Sequence, residues 1–275
     1  MPRMNPPSSD AAFAGSIPEL YDGHIVPLIF EPYAADLATR VAALRPSRVL
    51  ETAAGTGVLT RALDRTLPPA VEIVATDLNQ PMLDRAAAVG TRRAVRWQRA
   101  DALQLPFDDA CFDVVACQFG VMFFPHKARA YAEARRVLRP GGVLIFNVWD
   151  RIEENDFAHT VSRALAELFP SDPPLFMART PHGYFDATAI GRDLAIAGFG
   201  GTHRLETVTA RSHAASAMGA AVAYCQGTPL RNEIEARSGA DLATATAVCA
   251  GAIAARFGDG PVDGKIQAHI VSVHR

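Results

Sequence analysis

An α/β fold is predicted by three features of the sequence. Between residues 48 and 149, five short apolar runs alternate with stretches of helical spacing, the pattern of strands joined by crossover helices. The fourth run, FDVVACQ, has an unbroken Val-Val-Ala centre, as expected of a strand buried on both faces. Two further strand-like runs, THRLETVTA (202–210) and KIQAHIVSVH (265–274), stand on either side of an alanine-rich helical stretch. Together they give a seven-stranded, mostly parallel sheet with helices on both faces, an N-terminal helical lid and a helical insertion before the last strand.

Taken in order, residues 1–15 are rich in proline, serine and alanine and are expected to be a disordered tail. Residues 16–275 are expected to form a single domain, divided into a lid (16–45), a ligand-binding core (46–150) and segments that complete the sheet on the substrate side (151–275). Two helical stretches precede Leu44, parted near Glu31-Pro32, where Pro32 suits a first helical turn. RVLET (48–52) is a strand that runs into a glycine loop, and a helix from Val58 stops before Pro68-Pro69. Strands follow at 71–77, 94–101, 112–118 and 143–149, with helices from Gln80 to Val89 and from Lys127 to Leu138 between them. The last of these helices stops at Arg139-Pro140-Gly141-Gly142. After Asp150 come helices from Glu153 to Leu168 and from Ala187 to Ala197, then two more within 212–256.

The 275 residues suffice for a sizeable core, with 49% hydrophobic and 20% charged residues. A net charge of -2 argues against a surface built to hold nucleic acid or an anionic membrane. Lysine occurs only at Lys127 and Lys265, and the four cysteines show no C-x-x-C pair or other metal-ligand spacing, so no metal is expected. Free thiols, no apolar leader and no membrane span point to a cytoplasmic protein, monomeric or a homodimer.

The strongest local signal is VLETAAGTGVLT (49–60), a strand that turns through Gly55 and Gly57 into a helix. Glycine allows positive φ and close approach of a ligand to the backbone, and the helix start offers unpaired N–H groups. Alone, the pattern fits a nucleotide-binding loop or a plain tight turn. Asp77 closes the second strand, placed either to accept from ribose hydroxyls or to cap the next helix. Asp101-Ala102 follows the third strand; an acid before a small residue can accept from an adenine amino group, a feature dinucleotide binding does not demand.

With these motifs, the stretch from about Tyr21 to Trp149 resembles the class I S-adenosylmethionine (SAM)-dependent methyltransferases, in the small-molecule branch that includes the ubiquinone/menaquinone-biosynthesis type. The series is ETAAGTG, ATDLNQPML, ADALQLPF, FDVVACQFGVMFF and RVLRPGGVLIF, in the family's order and spacing. It departs at Ala53, where the family usually has the first of three glycines. The resemblance implies a Rossmann-like sheet, SAM as cofactor and methyl transfer to a small molecule. It places Glu51, Ala53, Gly55 and Gly57 around the methionine part of SAM, Asp77 at the ribose, and Leu78 and Met82 against the adenine. Asp101 and Ala102 would read the adenine edge, Gln118 would meet the methionine ammonium, and Tyr21 and Tyr33 would cover the pocket. Core packing is the alternative reading for Met82 and for Tyr33.

Other readings fare worse. A dinucleotide dehydrogenase would want glycine or alanine where Thr60 stands, and no lysine follows a tyrosine by four. No G-K-[ST] completes a phosphate loop, and the motifs of DNA amino- and cytosine-methylases are missing after the fourth strand. The arginines of TRRAVRWQR (91–99) read as the wet side of an edge strand. Two alternatives stay open: SAM-dependent chemistry other than methyl transfer, and an inactive SAM-binding module. No catalytic base stands out among His24, His126, His159, His182 and His213. His126, just beyond the fourth strand, is the one candidate for acid–base work. An apolar wall for the acceptor is expected from Phe157, Phe169, Phe176, Tyr184 and Phe185.

Overall fold

The central apolar runs pack as predicted because they can bury both faces only inside a helix-covered sheet. In the computed structural model, which describes Asp10 and residues 17–275, strands β1 (Arg48–Thr52), β2 (Glu72–Asp77), β3 (Arg96–Arg99), β4 (Phe112–Gln118) and β5 (Leu138–Trp149) are parallel. β6 (Arg204–Ala214) and β7 (Val262–His274) complete the order β3-β2-β1-β4-β5-β7-β6, with β7 antiparallel to both its neighbours. The order reverses between β1 and β4, so the loops that follow those two strands open a crevice at the carboxyl edge of the sheet. Apart from Asp10, the expected tail lies outside the described residues.

Helices α3 (Val58–Thr66), α4 (Gln80–Val89) and α5 (Lys127–Val137) make the crossovers, and α8 (Ala187–Ile196) packs on α5. Helix α6 (Asp156–Leu168) and the short α7 (Phe176–Arg179) follow β5. The late insertion holds three helices where two are expected: α9 (Ala217–Gln226), α10 (Leu230–Glu235) and α11 (Leu242–Phe257). Strand β5 also begins earlier than the sequence suggests. Leu138 pairs with Phe112 across β4 and a bulge follows, so Arg139-Pro140-Gly141-Gly142 lies within a strand rather than between elements.

The N-terminal segment is one unbroken helical path in three registers. A single α-turn, α1 (Ile17–Leu20), leads into a ten-residue π-helix (Tyr21–Phe30), and α2 (Glu31–Ala43) continues from it. The predicted parting at Glu31-Pro32 is this change of hydrogen-bond register: Pro32 supplies no N–H and sits in the first turn of α2. Arginines of the 91–99 run divide. Arg96 and Arg99 are exposed on edge strand β3, as expected. Arg93 is not on the strand; it bonds Asp64 Oδ1 (2.8 Å) and the carbonyls of Asp64 (2.6 Å), Leu67 (2.6 Å) and Pro68 (2.7 Å), closing the carboxyl end of α3. All four cysteines are free thiols. No described helix is long and apolar enough to cross a membrane.

Candidate active site

The loop after β1 is shaped by three residues of positive φ: Ala53 (53°), Gly55 (56°) and Gly57 (84°), the last forming the N-cap of α3. Its position is set by Asp77 at the end of β2, whose Oδ2 accepts from the Gly55 N–H (2.9 Å) and whose Oδ1 accepts from the Asn79 N–H (2.8 Å). Asp77 thus ties the glycine loop to the neighbouring strand. It does not cap α4, whose N-cap residue is Asn79. Burial pushes the Asp77 carboxyl above its ordinary range, against these two N–H donors. Gly55 faces Met82, which is buried beneath the loop, and a side chain at Gly57 would press on Trp97.

Glu51 is buried at the end of β1, and Thr60 Oγ1 donates to its Oε2 at 2.5 Å. The residue that rules out a dinucleotide motif therefore has its own task, holding this carboxyl from the first turn of α3. Burial raises the Glu51 carboxyl to about 8, opposed by the Thr60 bond and the charge of Arg61. On the other side of the loop, Asp101 and Ala102 are half-buried after β3. Asp101 is held in a turn, accepting from Leu103 N on its side chain (2.9 Å) and from Gln104 N on its carbonyl (2.9 Å). Leu78 is half-buried beside them, its carbonyl accepting from Arg99 Nε.

The N-terminal helix lies across this edge and is fixed at both ends of its π segment. Asp22 forms ion pairs with Arg61 of α3 (3.2 Å) and Arg85 of α4 (2.9 Å), while Arg61 Nη1 also donates to the Thr56 carbonyl in the loop (2.6 Å). At the far end, Gln118 Nε2 donates to the Phe30 carbonyl (2.9 Å), which leaves Gln118 Oε1 buried without a partner. Tyr21 stands close enough to Asp77 and Asp22 that burial and both carboxylates push its phenol well above the usual range. Its ring lies 5.3 Å from that of Phe30.

Over the ends of β4 and β5, Phe119 and Trp149 stack with centroids 3.9 Å apart and planes 10° apart. Tyr33 meets both edge-on at 5.3 Å, and Phe30 packs 5.3 Å from Phe119. Tyr33 is fully buried, its hydroxyl donating to the Val208 carbonyl. These four buried rings form an aromatic wall over the strand ends, and of them the sequence points only to Tyr33. The aromatics named beforehand do not converge: Phe157, Phe169 and Phe176 are core residues, Phe157 against Phe257, while Tyr184 bonds Tyr131 and Asp193 and Phe185 is exposed. The sequence does not point to Thr56, Arg61, Arg85 or Asn147, and Thr60 enters it only as the residue that spoils a dinucleotide motif. Asn147, the single polar residue in VLIFNVW, was the available signal.

Among the histidines, His126 is exposed at the start of α5, with no side-chain cap bond there. His182 is buried near Trp149 (6.0 Å), its Nδ1 bonded to the Asp150 carbonyl (2.8 Å), and burial pushes it down to about 4. It is a neutral packing residue. Cys117, at the end of β4, is held as a thiol by burial, pushed up to about 12.

A crossover sheet with a glycine loop tied to an acid on the next strand is a Rossmann-like arrangement, and comparison with known proteins finds methyltransferases similar to it. Residues 50–146 match the family described as "Methyltransferase domain". Over 103 residues the chain is 44% identical to the ubiquinone/menaquinone biosynthesis C-methyltransferase UbiE of Stutzerimonas stutzeri, covering 36% of this chain and 40% of that protein. The chain spans less than half the length of the curated relatives it matches, as with the demethylmenaquinone methyltransferase of Deinococcus radiodurans (42% identical over 110 residues, 39% of this chain and 45% of that protein). A SAM-dependent methyltransferase of Thermotoga maritima shares the fold over 94% of this chain and 98% of its own, with TM-score 0.53 at 15% identity. The resemblance read from the five motifs is borne out, and so is the fold.

Proposed function

We propose that this chain is a SAM-dependent methyltransferase that moves the methyl group to a small-molecule acceptor by in-line displacement. The observation that carries the reading is the bond from the Gly55 N–H to Asp77 Oδ2 (2.9 Å), which joins the cofactor loop and the ribose-binding acid into one cradle. The local chemistry fits the cofactor. Gly55 leaves the floor of the cradle open, and Thr56 Oγ1 and Gln118 Oε1 are buried polar atoms without partners among the described residues. SAM, when bound, supplies a methyl group on a sulfonium.

In this reading Asp77, with lone pairs left on both oxygens, accepts from the ribose hydroxyls. Leu78 and Met82 pack on the adenine while Asp101 and Ala102 meet its edge. Glu51, Ala53, Gly55 and Gly57 surround the methionine part, and Gln118 Oε1 accepts from its ammonium. Residues 16–45, with Tyr21 and Tyr33, are the lid that excludes water; 46–150 hold the cofactor, and 151–275 complete the substrate side of a single domain. The chain's main catalytic contribution is alignment, which supplies up to about 7–11 kcal/mol of barrier reduction in well-oriented systems. No base is assigned, since His126 lies at the surface. The acceptor is a small molecule and not nucleic acid, and the protein acts in the cytoplasm as a monomer or homodimer.

Calorimetry with SAM and its demethylated product S-adenosylhomocysteine (SAH), followed by transfer of labelled methyl groups to a metabolite extract, tests this. Micromolar binding of both ligands and labelled product are expected. Absence of binding would overturn the reading. Binding without transfer would leave the other SAM-dependent chemistry or the inactive module.

A further inference from the structure

Asn147 is fully buried in β5, and its side chain is only half used. Its Oδ1 accepts from the Phe119 N–H (2.9 Å), which fixes the orientation of the amide; among the described residues its Nδ2 has no acceptor. A buried amide donor left without a partner keeps the full cost of its desolvation. The other residues from Val143 to Trp149 are apolar, so the polar side chain is not there for packing.

Its neighbours define what the free N–H group would meet. Asn147 is the register partner of Gln118 on β4, so the two side chains share a face of the sheet at its carboxyl edge. Trp149, two residues further along β5, shares that face and stacks on Phe119. Phe119 itself holds a left-handed backbone conformation (φ 51°), which is rare for a bulky residue, and Asn147 Oδ1 holds its N–H. The donor therefore stands at the foot of the aromatic wall, one strand further from the glycine loop than Gln118.

We propose that Asn147 Nδ2 is a specificity-determining group that donates a hydrogen bond to an oxygen of the methyl acceptor. The acceptor is a planar or apolar molecule that carries a carbonyl or ionised hydroxyl oxygen and packs against the Phe119–Trp149 stack with that oxygen toward Asn147. This rests on the methyltransferase reading. The competing source of an oxygen is the cofactor's own carboxylate; the position on β5, beyond the strand that carries Gln118, favours the acceptor.

The test uses the full chain loaded with SAH and a matched pair of probes, acetophenone and α-methylstyrene, which differ by C=O against C=CH2. Ligand titrations of wild type and Asn147→Asp are compared. The aspartate keeps the acceptor for Phe119 N–H but removes the donor. The wild type should favour acetophenone over α-methylstyrene at least tenfold more than the variant does, with SAH affinity changed less than threefold. Equal discrimination by both proteins would overturn the proposal. Should SAH binding fall in the variant while 5′-methylthioadenosine, which lacks the carboxylate, binds as before, the donor reads the cofactor and the proposal is again overturned. Should the variant not fold, the wild type alone decides: the Asn147 side-chain NH2 resonances should move downfield with acetophenone and not with α-methylstyrene, and no difference refutes the assignment. Wild type that fails to bind SAH at the outset is instead the failure of the methyltransferase reading.

Discussion

Ala53 and Gly120 share one space. A side chain at Gly120 would overlap the Ala53 Cβ and lie 2.8 Å from Cys117 Sγ, so the alanine in the β1 loop is accommodated only because the loop after β4 has none. The φ of 53° at Ala53 carries a penalty of about 1–2 kcal/mol that glycine would not incur. Gly120 has an ordinary φ of -94°, and its need is purely steric. Gly120→Ala should destabilise the protein by about 1–3 kcal/mol through overpacking. Ala53→Gly, losing strain but gaining unfolded-state freedom, should change stability by less than about 1 kcal/mol. Adding Ala53→Gly should recover at least half of the Gly120→Ala loss in urea denaturation; strictly additive effects would show that the two loops do not compete for that space.

The two loop glycines should separate stability from binding. An alanine side chain at Gly57, with φ 84°, would meet Trp97 Cη2 at 2.9 Å and Ala86 Cβ at 3.2 Å. At Gly55 the nearest atom is Met82 Cε at 3.6 Å, an ordinary contact. Gly57→Ala should therefore lower stability by about 2–4 kcal/mol, strain and overpacking together. Gly55→Ala should lose about 1 kcal/mol of stability, yet weaken SAH binding at least tenfold, because its methyl group would occupy the cradle floor. Thermal denaturation and calorimetry on the two variants would read the contrast, and loss of binding through Gly57→Ala alone would contradict it.

Most of the sheet was legible because its signals are local. RVLET and FDVVACQ coincide with β1 and β4, and the glycine loop, Asp77 and Asp101 stand where strand-end spacing puts them. What escaped depends on contacts between distant residues. Nothing near Asp22 announces Arg61 and Arg85, and nothing near Thr60 announces Glu51, since each pair meets only when helices pack over strands. The π register of 21–30 has no local signature beyond Pro27. The aromatics after β5 form no wall, because α6 and α7 bury theirs in the core, whereas Phe30, Tyr33, Phe119 and Trp149 meet over the ends of β4 and β5. Asn147 is visible as a polar residue in an apolar strand, but its half-used amide follows only from the packing of the loop after β4.

Proton release should accompany cofactor binding through Glu51. With its carboxyl raised to about 8 by burial, Glu51 is largely protonated at neutral pH in the free protein. Its contribution to stability is full below the unfolded carboxyl range near 4.5 and is lost as pH rises through 8. A bound ammonium or sulfonium nearby favours the ionised form and lowers the pKa. SAM should therefore bind more tightly as pH rises from 6 to 8, with a proton released to the buffer. Calorimetry in buffers of different ionisation enthalpy would detect the proton. Glu51→Gln should abolish the release and flatten the loss of stability between pH 5 and 8; an unchanged proton count in that variant would remove Glu51 from the linkage.

Opening of the N-terminal segment should be limited by Asp22. Its side chain is 10% exposed, and its partners Arg61 and Arg85 are 19% and 37% exposed, so the pairs are only partly screened. Arg61 keeps its bond to the Thr56 carbonyl whether or not Asp22 is present, so removing the acid should free the helix without dismantling the glycine loop. Asp22→Asn should lower global stability by about 1–3 kcal/mol, the loss expected for hydrogen bonds to charged groups. The larger effect should be kinetic: SAH should leave about tenfold faster, and proteolysis near Gly23-His24 should accelerate, because the segment must lift for the ligand to escape. Stopped-flow displacement measures the first and limited digestion with proteinase K the second. If both rates match the wild type while stability falls, the ion pairs brace the fold and the segment is no gate.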